Sequence, residues 1–305
     1  MKKCCLVLLI LAAFSVVNAF AQKIDVTPLP YKEDAKFSRV QNLSDQFDYT
    51  LLKTDSKTNR TNKIFHYRKT NQDGKGSGED VWIYYPDPYT SECFYVYDMT
   101  KDAFGYVKAE YGTDYQPKKI TSYTIDKKFK LTESAVSEFD KNTIKLTVSK
   151  KKKDDVVNGI IPSYNLNFDF IDLNSMIPFL KNKEADFTFG VNNLYLPSKG
   201  VITKVAMGLS SRIEMYVGKT VCRYIGKNTY KNTECFTYEI IIEGYESLPG
   251  KLYVSASDYS VVEINTSHFG SPLYNSLKFT LIDQKTITPS QWEQFRNDKI
   301  KEYTK

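Results

Sequence analysis

Side chains able to do acid–base or metal chemistry are sparse in this sequence. Its 305 residues include two histidines, His66 and His268, each far from any other candidate ligand in the chain. No H-E-x-x-H, P-loop or C-x-x-C is present, and Gly208-Leu209-Ser210-Ser211 departs from the G-x-S-x-G nucleophile turn. The glycines Gly74, Gly76 and Gly78 alternate as in a phosphate loop. They lack the strand-to-helix setting and the last glycine spacing, so they read as a hairpin tip. Glycoside hydrolysis needs two carboxylates about 5–9.5 Å apart. Asp169 with Asp172, or Glu239 with Glu243, could supply them, but a sheet carries many outward carboxylates and the signal has little specificity. No catalytic residue, metal ligand or cofactor site is nominated. The chain reads as a non-enzyme, with a secreted hydrolase the least supported alternative.

The cysteines divide by position. Cys4 and Cys5 precede an almost unbroken apolar run at residues 6–17, itself preceded by Lys2 and Lys3 and followed by Ala19-Phe20-Ala21. That is the layout of a secretory signal peptide cleaved after Ala21. The run is shorter than the ~20 residues that cross a bilayer, so no membrane span is expected. The export signal places the protein in the periplasm or outside the cell. Cys93, Cys222 and Cys235 remain in the mature chain. Three is odd, so at least one stays free or pairs elsewhere. A Cys222–Cys235 bridge, between strands expected to be neighbours, would need Cα atoms within about 7 Å.

Charge excludes one class of partner. The net charge is +6, of which Lys2 and Lys3 leave with the leader, and the charged residues are well mixed. Nucleic-acid binders concentrate basic residues in a stripe, so no nucleic-acid partner is expected. The basic run at Lys150 to Lys153 is followed at once by Asp154-Asp155 and reads as the solvated tip of a β-hairpin.

Aromatic content carries more. The 23 tyrosines and 18 phenylalanines favour strands. Residues 22–36, with Pro28 and Pro30, read as an extended arm. From Phe37 the chain reads as one β-rich domain running to residue 305, with apolar residues at period two and turns roughly ten residues apart, as in an up-and-down sheet. Tyr238 with Ile240 and Ile242 form one face, as do Leu252 with Val254 and Ala256, then Val262, Ile264, Thr266 and His268, then Leu277, Phe279 and Leu281. Reversals are expected at Asn158-Gly159, Lys227 to Asn232, Pro249-Gly250 and Ser257-Asp258. In Val81-Trp82-Ile83-Tyr84-Tyr85 both faces are apolar, so both need cover.

Two helices could supply it. Met176, Ile177, Phe179 and Leu180 follow candidate caps Asn174 and Ser175, and Pro178 limits them to a short helix or turn. A longer helix is expected from about residue 289. Thr288 is its N-cap, Pro289 its first residue and Gln291 closes a capping box. Its apolar edge is Trp292, Phe295 and Ile300.

The segments Asp172-Leu173-Asn174-Ser175-Met176-Ile177-Pro178-Phe179-Leu180, Phe187-Thr188-Phe189, Val217-Gly218-Lys219 and Cys235-Phe236-Thr237-Tyr238 follow a recognisable order. They continue through Lys251 to Asp258 and Gly270 to Leu281. This order resembles an uncharacterised periplasmic family akin to the lipoprotein-localisation-factor (Lol-type) superfamily. The resemblance implies a mostly β fold: a strongly curved antiparallel sheet, or half-open barrel, with a short covering helix and a C-terminal helix. In the wider superfamily the concavity holds acyl chains. The expected function is therefore that of a binding or carrier-like protein with an apolar cavity for a lipid or acylated ligand. Met176, Ile177, Phe179 and Leu180 are expected at its mouth, with Trp82, Tyr84 and His268 as further lining. For His268 the plainer role is a core or cavity-wall side chain. The aromatic cluster from Trp82 to Tyr97 could stack on sugars or enclose a lipid chain, but reads first as ordinary strand packing. A cell-envelope structural or interaction module, meeting a protein or glycan through exposed aromatic strands, is the competing reading.

Overall fold

The computed structural model describes residues 25–26, 46–71, 78–97, 104–126, 128–140, 143–149, 155–160, 166–167, 173–194, 212–213, 215–242, 249–266 and 277–303. The leader, nearly all of the 22–36 arm, Lys150 to Lys153, the Asp169–Asp172 pair, Glu243, residues 208–211, His268 and most of the 74–78 glycine loop lie outside them.

The strands are β1 (Asp25–Val26), β2 (Lys63–Thr70), β3 (Glu79–Asp87), β4 (Thr90–Tyr97), β5 (Phe104–Tyr111), β6 (Pro117–Ile125), β7 (Leu131–Asp140), β8 (Thr143–Val148), β9 (Asp155–Ile160), β10 (Leu166–Asn167), β11 (Phe187–Leu194), β12 (Arg212–Ile213), β13 (Met215–Tyr230), β14 (Thr233–Ile242), β15 (Gly250–Ser255), β16 (Val261–Thr266) and β17 (Leu277–Thr286). The helices are α1 (Leu51–Thr54), α2 (Leu173–Met176) and α3 (Pro289–Tyr303), with 3₁₀ turns at Ser56–Thr58 and Ile177–Phe179. One 15-stranded sheet runs β10-β11-β13-β14-β15-β16-β17-β2-β3-β4-β5-β6-β7-β8-β9. It is two up-and-down meanders joined where β17 pairs antiparallel with β2. In this sheet only β10–β11 is parallel among the described pairings.

The sheet is open and strongly bent. One apolar cluster takes buried residues from Phe187 on β11 to Cys93 on β4, across nine neighbouring strands. Laid flat at ~4.8 Å per strand, those strands would span about 38 Å. Residues 173–179, helical and all buried, form a plug only ~12 Å long at helical rise. So narrow a plug can meet residues of both sheet halves only if the sheet curls around it. Register shifts interrupt six of the strand pairings, and each such bulge adds local bend and twist. Gly226, at the β13 shift, has φ 130°, where a side chain would be strained.

Alternation along the central strands explains why both faces are covered. Phe65, Tyr67, Val81, Ile83 and Tyr85 point to the concave cluster. Ile64, Trp82, Tyr84, Phe94 and Val96 point to the opposite face, where α3 buries them with Trp292 and Ile300. The capping box forms as expected, with Thr288 N–H on Gln291 Oε1 at 2.8 Å and Gln291 N–H on Thr288 Oγ1 at 3.3 Å.

Several expectations need correction. Asn158 and Gly159 are not a turn but lie inside β9, opposite Lys145 and Ile144. β8 and β9 pair on either side of the Lys150 to Lys153 run, which itself lies outside the described residues. The β13–β14 reversal narrows to Lys231-Asn232, both at positive φ, the geometry of a two-residue hairpin turn. Val262 does not share a face with Ile264: a register shift pairs Val254 with Val261, so Val261 and Ile264 enter the core together. Asn174 and Ser175 are buried within α2 rather than capping it. None of Cys93, Cys222 and Cys235 forms a disulfide, and all three are buried. Cys222 sits opposite Ile240 and Cys235 opposite Asn228. Five rungs at ~3.4 Å separate the two thiols along the ladder by about 17 Å, which no disulfide can span.

Candidate binding site

The concave face is an apolar wall with a separate cover laid on it. Phe65, Tyr67, Ile83, Tyr85, Tyr238, Ile240, Leu252, Val254 and Ile264 form the wall. The cover is α2 and the following 3₁₀ turn, joined to residues 46–58 by an isolated bridge between Phe47 and Leu180. Two backbone bonds, Asp48 N–H to Phe179 O at 2.8 Å and Lys181 N–H to Gln46 O at 2.9 Å, zip these segments together. Gln46 then fixes them to β11, accepting from Thr188 N–H at 2.8 Å and donating to Thr188 Oγ1 at 3.2 Å. At one end Phe179 packs on Tyr115, with ring centres 4.2 Å apart, and on Tyr49 at 5.6 Å.

Among the described residues, discrete polar bonds attach the cover to the wall. Asn174 accepts from Val261 N–H at 2.8 Å and donates to the Tyr67 hydroxyl, which donates in turn to Val261 O at 2.9 Å. Ser175 donates to the Tyr85 hydroxyl at 3.4 Å. The Tyr238 hydroxyl donates to Lys183 O. Lys183 Nζ caps the turn, donating to Pro178 O at 2.9 Å and Leu180 O at 2.7 Å, and stands 4.3 Å from the centre of the Tyr259 ring. Burial pushes the Lys183 ammonium down to about 8.

The expected lining residues separate into two groups. Met176, Ile177, Phe179 and Leu180 come together in the concave cluster and are buried there. Trp82 and Tyr84 lie on the other side of the sheet beneath α3, one residue out of phase with the wall. They cannot share a site with the first four. His66, solitary in the sequence, is paired in the fold: Nε2 lies 2.8 Å from Asp80 Oδ1 and the ring stacks on Trp82 at 4.6 Å. Arg68 binds the other Asp80 oxygen at 2.7 Å, and the Tyr303 hydroxyl donates to it at 3.3 Å. The pairing thus clips α3 to the convex face. Sequence reasoning missed Arg60, Tyr67 and Tyr85, whose roles depend on contacts more than 80 residues distant in several cases. Among the described residues no group of three or more His, Cys, Asp or Glu side chains could hold a metal ion.

No protein-family model matches the chain, and no curated protein matches it in sequence. Solved structures do. A β-barrel-like protein of the domain of unknown function DUF1849 from Brucella abortus is 9% identical, with TM-score 0.43 over 75% of this chain and 98% of that one. A DUF1329 family protein from Desulfovibrio piger ATCC 29098 is 8% identical, with TM-score 0.29 over 79% and 92%. A domain assigned to outer membrane lipoprotein sorting, from Vibrio parahaemolyticus, is 7% identical, with TM-score 0.27 over 85% and 100%. At these scores the likenesses assign neither a family nor a function.

The β15–β16 turn beside the cover holds an acid-sensitive carboxylate. Burial alone would raise the Asp258 pKa, but hydrogen bonds from Gln284 and from the Ser260 hydroxyl and N–H outweigh it and hold the group at about 2, below its ordinary 3.8. A carboxylate depressed by folding stabilises the native state above its unfolded value and loses that contribution as pH falls toward the folded one. We therefore expect a loss of about 1 kcal/mol between pH 4 and pH 2, after discounting for solvent screening. Urea midpoints across that window should fall more steeply for the parent than for Asp258→Asn. Parallel curves would show that the turn contributes nothing.

Proposed function

We propose that this is an exported cell-envelope protein that binds or carries a lipid-like molecule between the concave wall and the 173–180 cover. In this reading residues 1–21 are removed on export, and one β-rich domain from residue 37 does the binding. Met176, Ile177, Phe179 and Leu180 form the movable side of the site.

The observation that supports this reading most is the division of labour in the cover. Its apolar residues are buried, yet among the described residues its polar fastenings to the wall are discrete bonds, through Asn174, Ser175, Arg60, Lys183 O and Gln46. An acyl chain offers the wall the same chemistry as these side chains and can take their place without leaving the wall in water. The ligand therefore replaces the cover. The interaction-module alternative needs exposed aromatic strands, whereas Trp82, Tyr84, Tyr85 and Phe94 are all buried.

Native mass spectrometry of the protein purified from its own host should show a co-purified species of lipid mass. The isolated protein should also enhance the fluorescence of N-phenyl-1-naphthylamine, a neutral apolar probe. No bound lipid and no probe response would refute the proposal.

A further inference from the structure

We infer that Arg60 and Tyr85 form an anion subsite beneath the cover, which takes the carboxylate or phosphate head of a single-chain lipid while its tail lies along the concave wall. This deepens the lipid-binding reading and rests on it.

Arg60 is a buried guanidinium, 4% exposed, just before β2. Its Nε–H reaches Asn174 O at 3.4 Å and its Nη1 reaches Asp258 O at 2.8 Å. Both acceptors are neutral carbonyls. Nη2 is buried and has no hydrogen-bond partner. Among the described residues no carboxylate forms an ion pair with Arg60. Asp258 is close enough to be felt, but its oxygens are taken, one by Ser260 and the other by Gln284. The positive charge of Lys63 is felt there too.

Tyr85 faces the same place. Lys63 pairs with Tyr85 across β2 and β3. The Phe65 ring is close to both groups, 5.3 Å from the guanidinium and edge-on to Tyr85 at 5.8 Å. The Tyr85 hydroxyl accepts from Ser175, and among the described residues its own proton meets no acceptor. The Tyr67 hydroxyl, by contrast, both donates and accepts.

Donors therefore outnumber acceptors in this corner, and the charge is positive. Such a deficit inside an apolar core is unfavourable. Water could accept from Nη2 but would bring no charge. An oxyanion brings both, and the planar guanidinium fork suits a two-oxygen acceptor better than a point cation would. Phe65 beside the guanidinium belongs to the apolar concave wall, along which a tail can lie once the cover moves.

The test uses the secreted full-length protein with bound N-phenyl-1-naphthylamine, displaced in turn by laurate, dodecyl phosphate and dodecanol. The three share a twelve-carbon chain and differ in the head. At least one anion should displace the probe at a concentration tenfold or more below dodecanol, and which one does so tells a fatty acid from a phospholipid source. Arg60→Met should abolish that preference, so that laurate, dodecyl phosphate and dodecanol displace the probe at the same concentration, and Arg60→Lys should retain part of it. If Arg60→Met fails to fold, Tyr85→Phe, which keeps the ring, should reduce the preference at least threefold. Equal displacement by all three in the parent protein would overturn the anion subsite and leave lipid binding standing. Failure of the probe to bind at all would overturn both.

Discussion

Phe179→Ala is expected to lower the melting temperature by on the order of 10 °C, and yet to bind laurate more tightly than the parent. The first effect follows from burial. Phe179 is 2% exposed and packs at a tilt against Tyr115 and Tyr49, and truncating a buried phenylalanine costs about 3–5 kcal/mol. The second follows from where those contacts lie. They hold the cover shut, so their loss raises the energy of the closed state and not that of a state in which ligand has replaced the cover. Phe179 would also touch an occupying chain, and losing that contact opposes the gain. One such contact is worth about 1 kcal/mol, well below the closing interactions removed. The net result should be at least a tenfold gain in affinity, since each 1.4 kcal/mol is a factor of ten. Probe displacement at 15 °C, where the variant remains folded, measures it. Unchanged or weaker binding would mean that the cover does not move.

The strand pattern was legible because period-two alternation is a local property. Tyr238 with Ile240 and Leu252 with Val254 fall on the expected face because nothing interrupts their ladders. Val262 fails because a bulge is invisible to a count of alternation: one extra residue reverses the facing of everything after it. The C-terminal helix was legible from Thr288, Pro289 and Gln291, whose capping chemistry is complete within four residues. The doubly apolar Val81-Trp82-Ile83-Tyr84-Tyr85 run announced that both faces of the sheet would be covered, but not which residues would share a cover. Grouping Trp82 and Tyr84 with Phe179 followed aromatic character, whereas the pleat puts odd and even positions of β3 in different compartments.

The polar part of the candidate site was not legible at all. Arg60 precedes β2 in a stretch of threonines, asparagines and lysines that reads as an ordinary surface loop. Its burial depends on Asn174 and Asp258 being brought to it from 114 and 198 residues away. Asn174 looks like a helix cap by type and position. Only the fold shows that Val261 N–H and the Tyr67 hydroxyl claim its side chain first.

Trp292→Ala should unfasten the convex face without disturbing the concave one. Trp292 is 2% exposed, lies 5.3 Å from the Tyr84 ring and donates from Nε1 to Glu92 Oε2 at 2.6 Å. Its truncation should cost about 3–5 kcal/mol. Trp292 is the largest buried side chain of helix α3; Ile300 is its other buried residue, Phe295 packs edge-on to Trp82 and the Tyr303 hydroxyl bonds Asp80. A 15-residue helix is marginal in water by itself, so loss of docking should also be loss of helix. Ile64, Trp82, Tyr84, Phe94 and Val96 would then face solvent as a continuous apolar strip, a surface prone to self-association. Far-UV circular dichroism should lose its helical component and light scattering should rise with concentration. With Trp82 the one tryptophan left, its emission should shift to the red. Displacement of N-phenyl-1-naphthylamine by laurate at low protein concentration should stay within twofold of the parent, because the sheet separates the two clusters. A helix that stays docked, or a loss of ligand binding with the fold intact, would contradict this separation of the two faces.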